Sequence, residues 1–472
     1  MLVICCLFFK TVRLFTTLLL PLVLWSYVHG EMLWYNYMLT LLPVGLVALV
    51  VESYMPKDRV LTISEGLLLL PSIWLGLSFV AALPLFQAGT LSLVDAWFIA
   101  VSGITTTGAE ILADLSVLPE SLLYYRMWLQ FLGGLGIIIL AMACSGWARD
   151  GVTPGVQFDL PGPVKVHGFA PNIAEATRSL WLIYGVLWLS STLLCVQVGM
   201  TLYEAVFESM GIISTGGFGL YNANLAHYNS DVLKVVVGFM VVLSSTSYIL
   251  HYQFFCSGDT SGYLKDKEWT LYMVLLLFLI VLVGVMDCWY DLSIPAVDLI
   301  FTAISMFSTA GYQSVSVSWP ISFAFLFMVF ALLGGCTGST AGGIKVLRWR
   351  FLWRDFSNAL RGQIHPQIVF ADYLDNPETS QIDFVLVRGF LLGYVMIFLL
   401  FWWLLLLTGV SLSDALGLVA ACLSNTGTSL MLAPDSFHVL TDSTKWLLMI
   451  LMLLGRMELM VVFALIGVRM RV

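Results

Sequence analysis

The chain reads as an all-α polytopic membrane protein: four helix, short-helix, helix repeats in pseudo-fourfold arrangement about one axis, preceded by a two-helix accessory hairpin. Three observations predict this. First, 60% of the 472 residues are hydrophobic and 11% charged, with a mean hydropathy of +0.94, and long apolar runs indicate transmembrane helices. Second, a short motif occurs four times, as Thr105-Thr106-Thr107-Gly108, Ser214-Thr215-Gly216-Gly217, Ser308-Thr309-Ala310-Gly311 and Ser424-Asn425-Thr426-Gly427. Third, a carboxylate stands thirteen residues before each final glycine, at Asp95, Glu204, Asp298 and Asp414.

The hydropathy pattern places the elements in order. Apolar runs at Leu14 to Val28 and Met32 to Val51 form the hairpin, assigned to residues 1–54. A signal peptide is an alternative for the first run, but no small-residue cleavage site follows it, so it is read as a helix. Repeat 1 (55–150) takes an outer helix Leu61 to Phe86 and an inner helix Leu122 to Trp147. Repeat 2 (151–256) takes Leu180 to Val198 and Val232 to Phe255. In repeat 3 (257–352), Thr270 to Trp289 precedes an inner helix that starts at Ile321 and meets a glycine-rich break. Repeat 4 (353–472) takes Phe384 to Thr408 and Trp446 to Val468. Between outer and inner helix, each repeat has an apolar run of about a dozen residues, too short to span and suited to a re-entrant segment.

These loops suit cation dehydration. Backbone carbonyls and hydroxyls can replace the water shell of an ion without fixed charge, and four copies in one chain make one ring. Glycine fits where a filter strand needs conformations that a β-carbon obstructs. Non-helical backbone at membrane depth must be buried in protein or line water. The four acids fall at the N-terminal ends of the short helices, where they complement the helix dipole.

Orientation follows from Lys and Arg. With both termini cytoplasmic, seventeen of the 21 basic residues lie inside; Arg126, Lys234 and Lys445 fall outside, and Arg456 within the membrane, as the positive-inside rule requires. All four loops then face outward, together with Glu110, Asp114, Glu120, Asp231, Asp291, Asp435 and Asp442. These acids are expected to raise the local cation concentration at the mouth.

A gate candidate lies below the third loop. Gly334, Gly335, Gly338, Gly342 and Gly343, with Ser339 and Thr340, interrupt the inner helix of repeat 3, and each glycine costs a helix about 1 kcal/mol relative to alanine. A flexible intramembrane loop obstructing the pore is predicted there. Arg456 lies deep in an apolar span, which marks a functional group; it is expected to face the cavity near the loop as an electrostatic barrier or an anchor. The stretch is not a phosphate loop, because Ile344 separates Gly343 from Lys345 and no Ser or Thr follows. The eight cysteines form no CxxC pair and the six histidines no ligand cluster, so no metal site or organic cofactor is read. A formal charge of -8 leaves no basic footprint for nucleic acid.

The chain resembles the Trk/Ktr/HKT superfamily of potassium transporters, most closely its bacterial Trk branch. Beyond the four loops, the resemblance rests on Pro161 to Lys165, Ile173 to Arg178, Gly334 to Lys345, Ile364-His365-Pro366 and Gly455 to Glu458. It implies a K+ pore in the bacterial inner membrane, a homodimer, and a cytosolic ring of nucleotide-binding regulatory subunits. In that family four filter glycines accompany K+ preference, and here they are Gly108, Gly217, Gly311 and Gly427. Glu110 and Ala371 to Asp375 depart from its pattern. The alternatives are a Na+- or H+-coupled symporter on the same fold and, more distantly, a membrane enzyme, for which no catalytic constellation appears.

Overall fold

The computed structural model describes residues 2–54, 63–147, 173–258, 260–292, 294–315, 317, 319–365, 381–428 and 440–457. Pro161 to Lys165, Pro366, Ala371 to Asp375, Asp435 and Glu458 lie outside them, as do Lys57, Arg59, Arg149, Arg469 and Arg471. All regular structure among the described residues is helical. In chain order the helices are α1 (Leu2–Leu18), α2 (Leu20–Val28), α3 (Leu33–Ser53), α4 (Ile63–Gln87), α5 (Leu93–Ile104), α6 (Glu120–Trp147), α7 (Ile173–Gln197), α8 (Leu202–Ile213), α9 (Asp231–Ser244) and α10 (Tyr248–Ser257). They continue as α11 (Ser261–Lys265), α12 (Lys267–Tyr290), α13 (Ala296–Phe307), α14 (Ile321–Leu333), α15 (Val346–Ile364), α16 (Gln381–Leu407), α17 (Leu412–Leu423) and α18 (Asp442–Met457).

Six spans in the described residues are long and apolar enough to cross a membrane, the longest being Lys267–Tyr290. α12 shows how such a span packs. Tyr272, Leu276, Leu279 and Val283 are buried along one face, while Val274, Leu277, Phe278, Val281 and Val285 are exposed. The spacing of the buried set is that of one helix face, and the exposed apolar face meets lipid rather than water.

α1 to α3 lean on α4 and α6. Trp128 Nε1 donates to Leu18 O at 3.0 Å, and Asn36 Nδ2 to Gln87 O at 3.1 Å. One apolar core joins this hairpin to α4 to α6 and to α16 to α18, and two further cores surround α8 and α13.

Two elements differ from the sequence reading. The first apolar span begins within Leu2–Leu18, ahead of the expected Leu14. The inner helix expected from Val232 to Phe255 is broken, and its halves, Asp231–Ser244 and Tyr248–Cys256, meet at 92°. The break is Ser245-Thr246-Ser247, and residues from the glycine-rich segment occupy it: Cys336 N donates to Ser245 O at 3.0 Å and Tyr248 N to Gly338 O at 3.1 Å. Those bonds satisfy backbone groups that the break leaves open, which is how a helix without glycine or proline at this point is bent.

Candidate ion filter and gate

The four loops are built alike from their helices upward. α5, α8, α13 and α17 each have twelve residues, and Asp95, Glu204, Asp298 and Asp414 each occupy the third helical position. Ser92, Thr201 and Ser411 cap three of the helices by accepting from the backbone N–H of that acid, while Pro295 precedes the fourth. Side-chain caps of this kind satisfy orphan N–H groups and stabilise by about 1 kcal/mol. The capping side chains therefore mark where three of the short helices begin.

At the other end the chain turns by one repeated device. The second loop residue enters the left-handed region each time, with φ of 54° at Thr106, 51° at Thr215, 55° at Thr309 and 57° at Asn425. The final glycines have φ of 75°, 78°, 71° and 72° at Gly108, Gly217, Gly311 and Gly427. Between them, the third residue donates its N–H back to the helix: Thr107 to Ser102 O, Gly216 to Gly211 O, Ala310 to Ser305 O and Thr426 to Ala421 O, at 2.8 to 2.9 Å. A threonine with positive φ is strained, and such strain persists only where surroundings over-determine it, typically at functional sites. The sequence reading located the strained glycines and missed the strained second position, because Thr carries no signal for it.

The loops close into a ring. A β-carbon on Gly108 would collide with Gly216 O, one on Gly217 with Ala310 O, one on Gly311 with Thr426 O, and one on Gly427 with Thr107 O. Each glycine faces the third-position carbonyl of the next loop, and the fourth returns to the first. All sixteen residues from Thr105 to Gly108, Ser214 to Gly217, Ser308 to Gly311 and Ser424 to Gly427 are buried. Side chains from outside the sixteen residues reach three of the ring carbonyls: Gly216 O accepts from Gln130 Nε2 at 2.6 Å, Gly217 O from Asn224 Nδ2 at 3.0 Å, and Gly311 O from Thr428 Oγ1 at 2.6 Å. A carbonyl has two lone pairs, so each keeps one for another partner. Gln130 and Asn224 stand behind the loops, where sequence periodicity did not reveal them.

The segment 334–343 packs against this ring. Gly342 N donates to Thr309 Oγ1 at 2.6 Å and Gly343 N to Ser424 O at 3.0 Å, while Thr215 Oγ1 donates to Thr340 Oγ1 at 3.4 Å. It thus touches three of the four loops. Arg456 is 4% exposed; its Nη1 donates to Thr340 O at 3.0 Å and its Nη2 to Gly133 O at 3.4 Å. The guanidinium ties the segment to α6. From the other side, buried Glu268 Oε1 accepts from Thr337 N at 2.6 Å and Leu347 N at 3.2 Å. One carboxylate oxygen therefore joins Thr337, inside the segment, to Leu347, in the first turn of α15.

The charges assigned to the outer side are largely paired. Arg126 and Lys234 are 1% and 6% exposed. Arg126 pairs with Glu110, so that carboxylate is committed to a partner and its charge at the mouth is neutralised. Lys445 pairs with Asp95 at 2.5 Å, and Lys234 with Asp298 at 2.7 Å. Asp114 caps Ser116 N at 2.9 Å and accepts from Asn222 Nδ2 at 2.9 Å.

Comparison with known proteins agrees with this geometry. The family model for TrkH, described as a cation transport protein, matches residues 45–469. The Trk system potassium uptake protein TrkH of Salmonella typhimurium is 32% identical over 401 residues, which are 84% of this chain and 83% of that protein. Its namesake in Halomonas elongata is 31% identical over 460 residues, 96% of this chain and 95% of that protein. The crystal structure of the potassium transporter TrkH from Vibrio parahaemolyticus superposes with a TM-score of 0.86 at 26% identity, covering 98% of this chain and 97% of that one. With its all-helical fold, apolar spans and ring of four loops, the chain belongs to the TrkH family of cation transport proteins.

Proposed function

We propose that this chain is the pore subunit of a potassium uptake system, conducting K+ inward through a filter made by residues 105–108, 214–217, 308–311 and 424–427. The carrying observation is ring closure: each loop glycine lies against the next loop's third carbonyl, and the fourth meets the first. Such a ring presents main-chain oxygens in place of hydration water. Four glycines, with no hydroxyl side chain at those positions, support K+ as the ion. A membrane potential supplies about 2.3 kcal/mol per charge per 100 mV for inward movement. No organic cofactor is needed for this.

In this reading the four repeats have the boundaries given above, and the segment from Gly334 to Gly343 is the gate. Gly334, Gly335, Gly338, Ser339, Thr340, Gly342 and Gly343 supply its turns and contacts, and Arg456 holds it under the filter. Both termini face the cytoplasm, which places α15 there. Trp353, Phe356, Leu360 and Ile364 form an exposed apolar stripe on α15, apolar surface that lipid or a second copy would cover. Because Glu268 joins the gate to the start of α15, a nucleotide-binding ring acting on α15 would act on the gate.

The test is the reversal potential of the purified protein in bilayers under opposed K+ and Na+ gradients. A value near the K+ equilibrium potential is predicted. One near zero would refute K+ selectivity, and no current under any gradient, with tracer uptake also absent, would refute the pore itself.

A further inference from the structure

Behind the first and second loops lies a buried polar cluster that has no counterpart among the described residues behind the fourth. Arg126, on α6, is 1% exposed and pairs with Glu110, two residues past Gly108. Its guanidinium carbon stands 4.4 Å from the ring centre of Phe218, the residue after Gly217. Glu208, on α8, is 1% exposed and within electrostatic reach of the same guanidinium; its Oε1 accepts from Leu220 N at 2.9 Å. One turn below Arg126, Gln130 Nε2 donates to Gly216 O at 2.6 Å. The outward strands of two loops are therefore tied to one helix face.

The third position of the second loop carries the signature of this contact. It is Gly216, where the other loops have Thr107, Ala310 and Thr426. Gly216 has no need of glycine for its φ. Its α-carbon is crowded instead: an added β-carbon would lie 2.5 Å from Gln130 Oε1 and 2.7 Å from Gln130 Nε2. The missing side chain makes room for the amide. On α18 the register is set by Gly455, which packs on Leu423 O as Gly133 packs on Ile104 O. Counting back from these glycines, the positions of Gln130 and Arg126 are Met452 and Leu448. The apolar residues there show that the fold does not require a charge or an amide at these positions. Burying Arg126 and Glu208 carries a desolvation cost, and Arg126 Nε and Nη1 and Glu208 Oε2 have no hydrogen-bond partner.

We propose that Arg126 and Gln130 are positioning residues for ion selectivity, with Glu110 and Glu208 fixing Arg126. They hold the carbonyl of Gly216 and the strands leaving Gly108 and Gly217 at the spacing K+ requires, so one side of the ring resists contraction around a smaller cation. The inference rests on the filter reading.

The test compares K+ over Na+ permeability in reconstituted Gln130→Leu, Arg126→Gln, Arg126→Lys and Met452→Leu. Gln130→Leu is predicted to lower the ratio about tenfold, equivalent to about 1.4 kcal/mol of discrimination. Arg126→Gln is predicted to lower it by less, Arg126→Lys to recover part of it, and Met452→Leu to leave it at the parental value. Should Gln130→Leu fail to assemble, the double variant Gln130→Ala with Gly216→Ala removes the amide and refills its space. A parental ratio in whichever of these two assembles would overturn the proposal, as would failure of both while Gln130→Asn assembles with parental selectivity. A parent protein without selectivity would instead sink the filter reading.

Discussion

The two sides of the ring are braced by different means. Beside the first and second loops stand Arg126, Glu110, Glu208 and Gln130, with a hydrogen bond from Gln130 to the ring. Between α13, α14 and α17, beside the fourth loop, lies a small cavity lined by residues including Met306, Ala324, Met328, Ala331, Gly417 and Thr426. The backbone of the four loops is fourfold, with positive φ at the same two positions each time, while the side chains behind it are not. Symmetry is thus a property of what faces the ion, and the backing is free to specialise. The side with the cavity, where Thr428 Oγ1 donates to Gly311 O at 2.6 Å, adjoins the gate, since Gly342 and Gly343 bond to Thr309 and Ser424 there.

That contrast can be broken by substitution. The largest effect is expected from Gly427→Ala, which combines a left-handed φ of 72° with a collision against Thr107 O. Selective K+ current should fall by about a hundredfold or more, as two strained terms of about 1–2 kcal/mol each accumulate; bilayer recording checks this. Next comes Glu268→Ala, which leaves Thr337 N and Leu347 N without their acceptor. An unsatisfied buried donor costs about 1–3 kcal/mol, so the closed gate should weaken and leak current rise about tenfold. An unaltered leak would remove Glu268 from the gate.

Smaller effects sharpen the comparison through stability. Lys445→Met should lower the unfolding free energy by about 1–3 kcal/mol, because Asp95, 24% exposed, loses its charge partner. Gly216→Ala, on the braced side, should destabilise by about 1–3 kcal/mol through overpacking against Gln130, whereas Ala324→Val, beside the cavity, should change stability by less than about 1 kcal/mol. Thermal unfolding in detergent measures all three, and equal shifts for the last two would erase the proposed difference between the sides. The smallest effect concerns Asp114, whose carboxyl is held below its ordinary value by Asn222 first and by Ser116. A depressed folded value means the stabilisation is present above the unfolded pKa and lost as pH falls through the folded one. Protease susceptibility of the 109–118 loop should therefore rise in acid, and Asp114→Asn should flatten that dependence.

What sequence revealed and what it hid follow a physical division. The four loops, the acids thirteen residues before each glycine, and the glycine-rich interruption after Leu333 were legible because backbone geometry imposes a local spacing. Charge pairing was not legible. Lys445 meets Asp95 across 350 positions, and Arg126 reads as an external residue by the positive-inside count although it is buried. The break at Ser245 was equally hidden, since no glycine or proline marks it and its hydrogen bonds come from the distant residues Cys336 and Gly338.

The central claim is that one ring of main-chain oxygens holds a dehydrated K+. Crystals of the protein grown in Tl+ or Rb+ test it through anomalous scattering. A peak on the axis enclosed by Thr107, Gly216, Ala310 and Thr426, weakened when Na+ replaces the heavier cation, is the predicted result; an empty ring with ordered Tl+ or Rb+ sites elsewhere in the membrane-embedded part would contradict it.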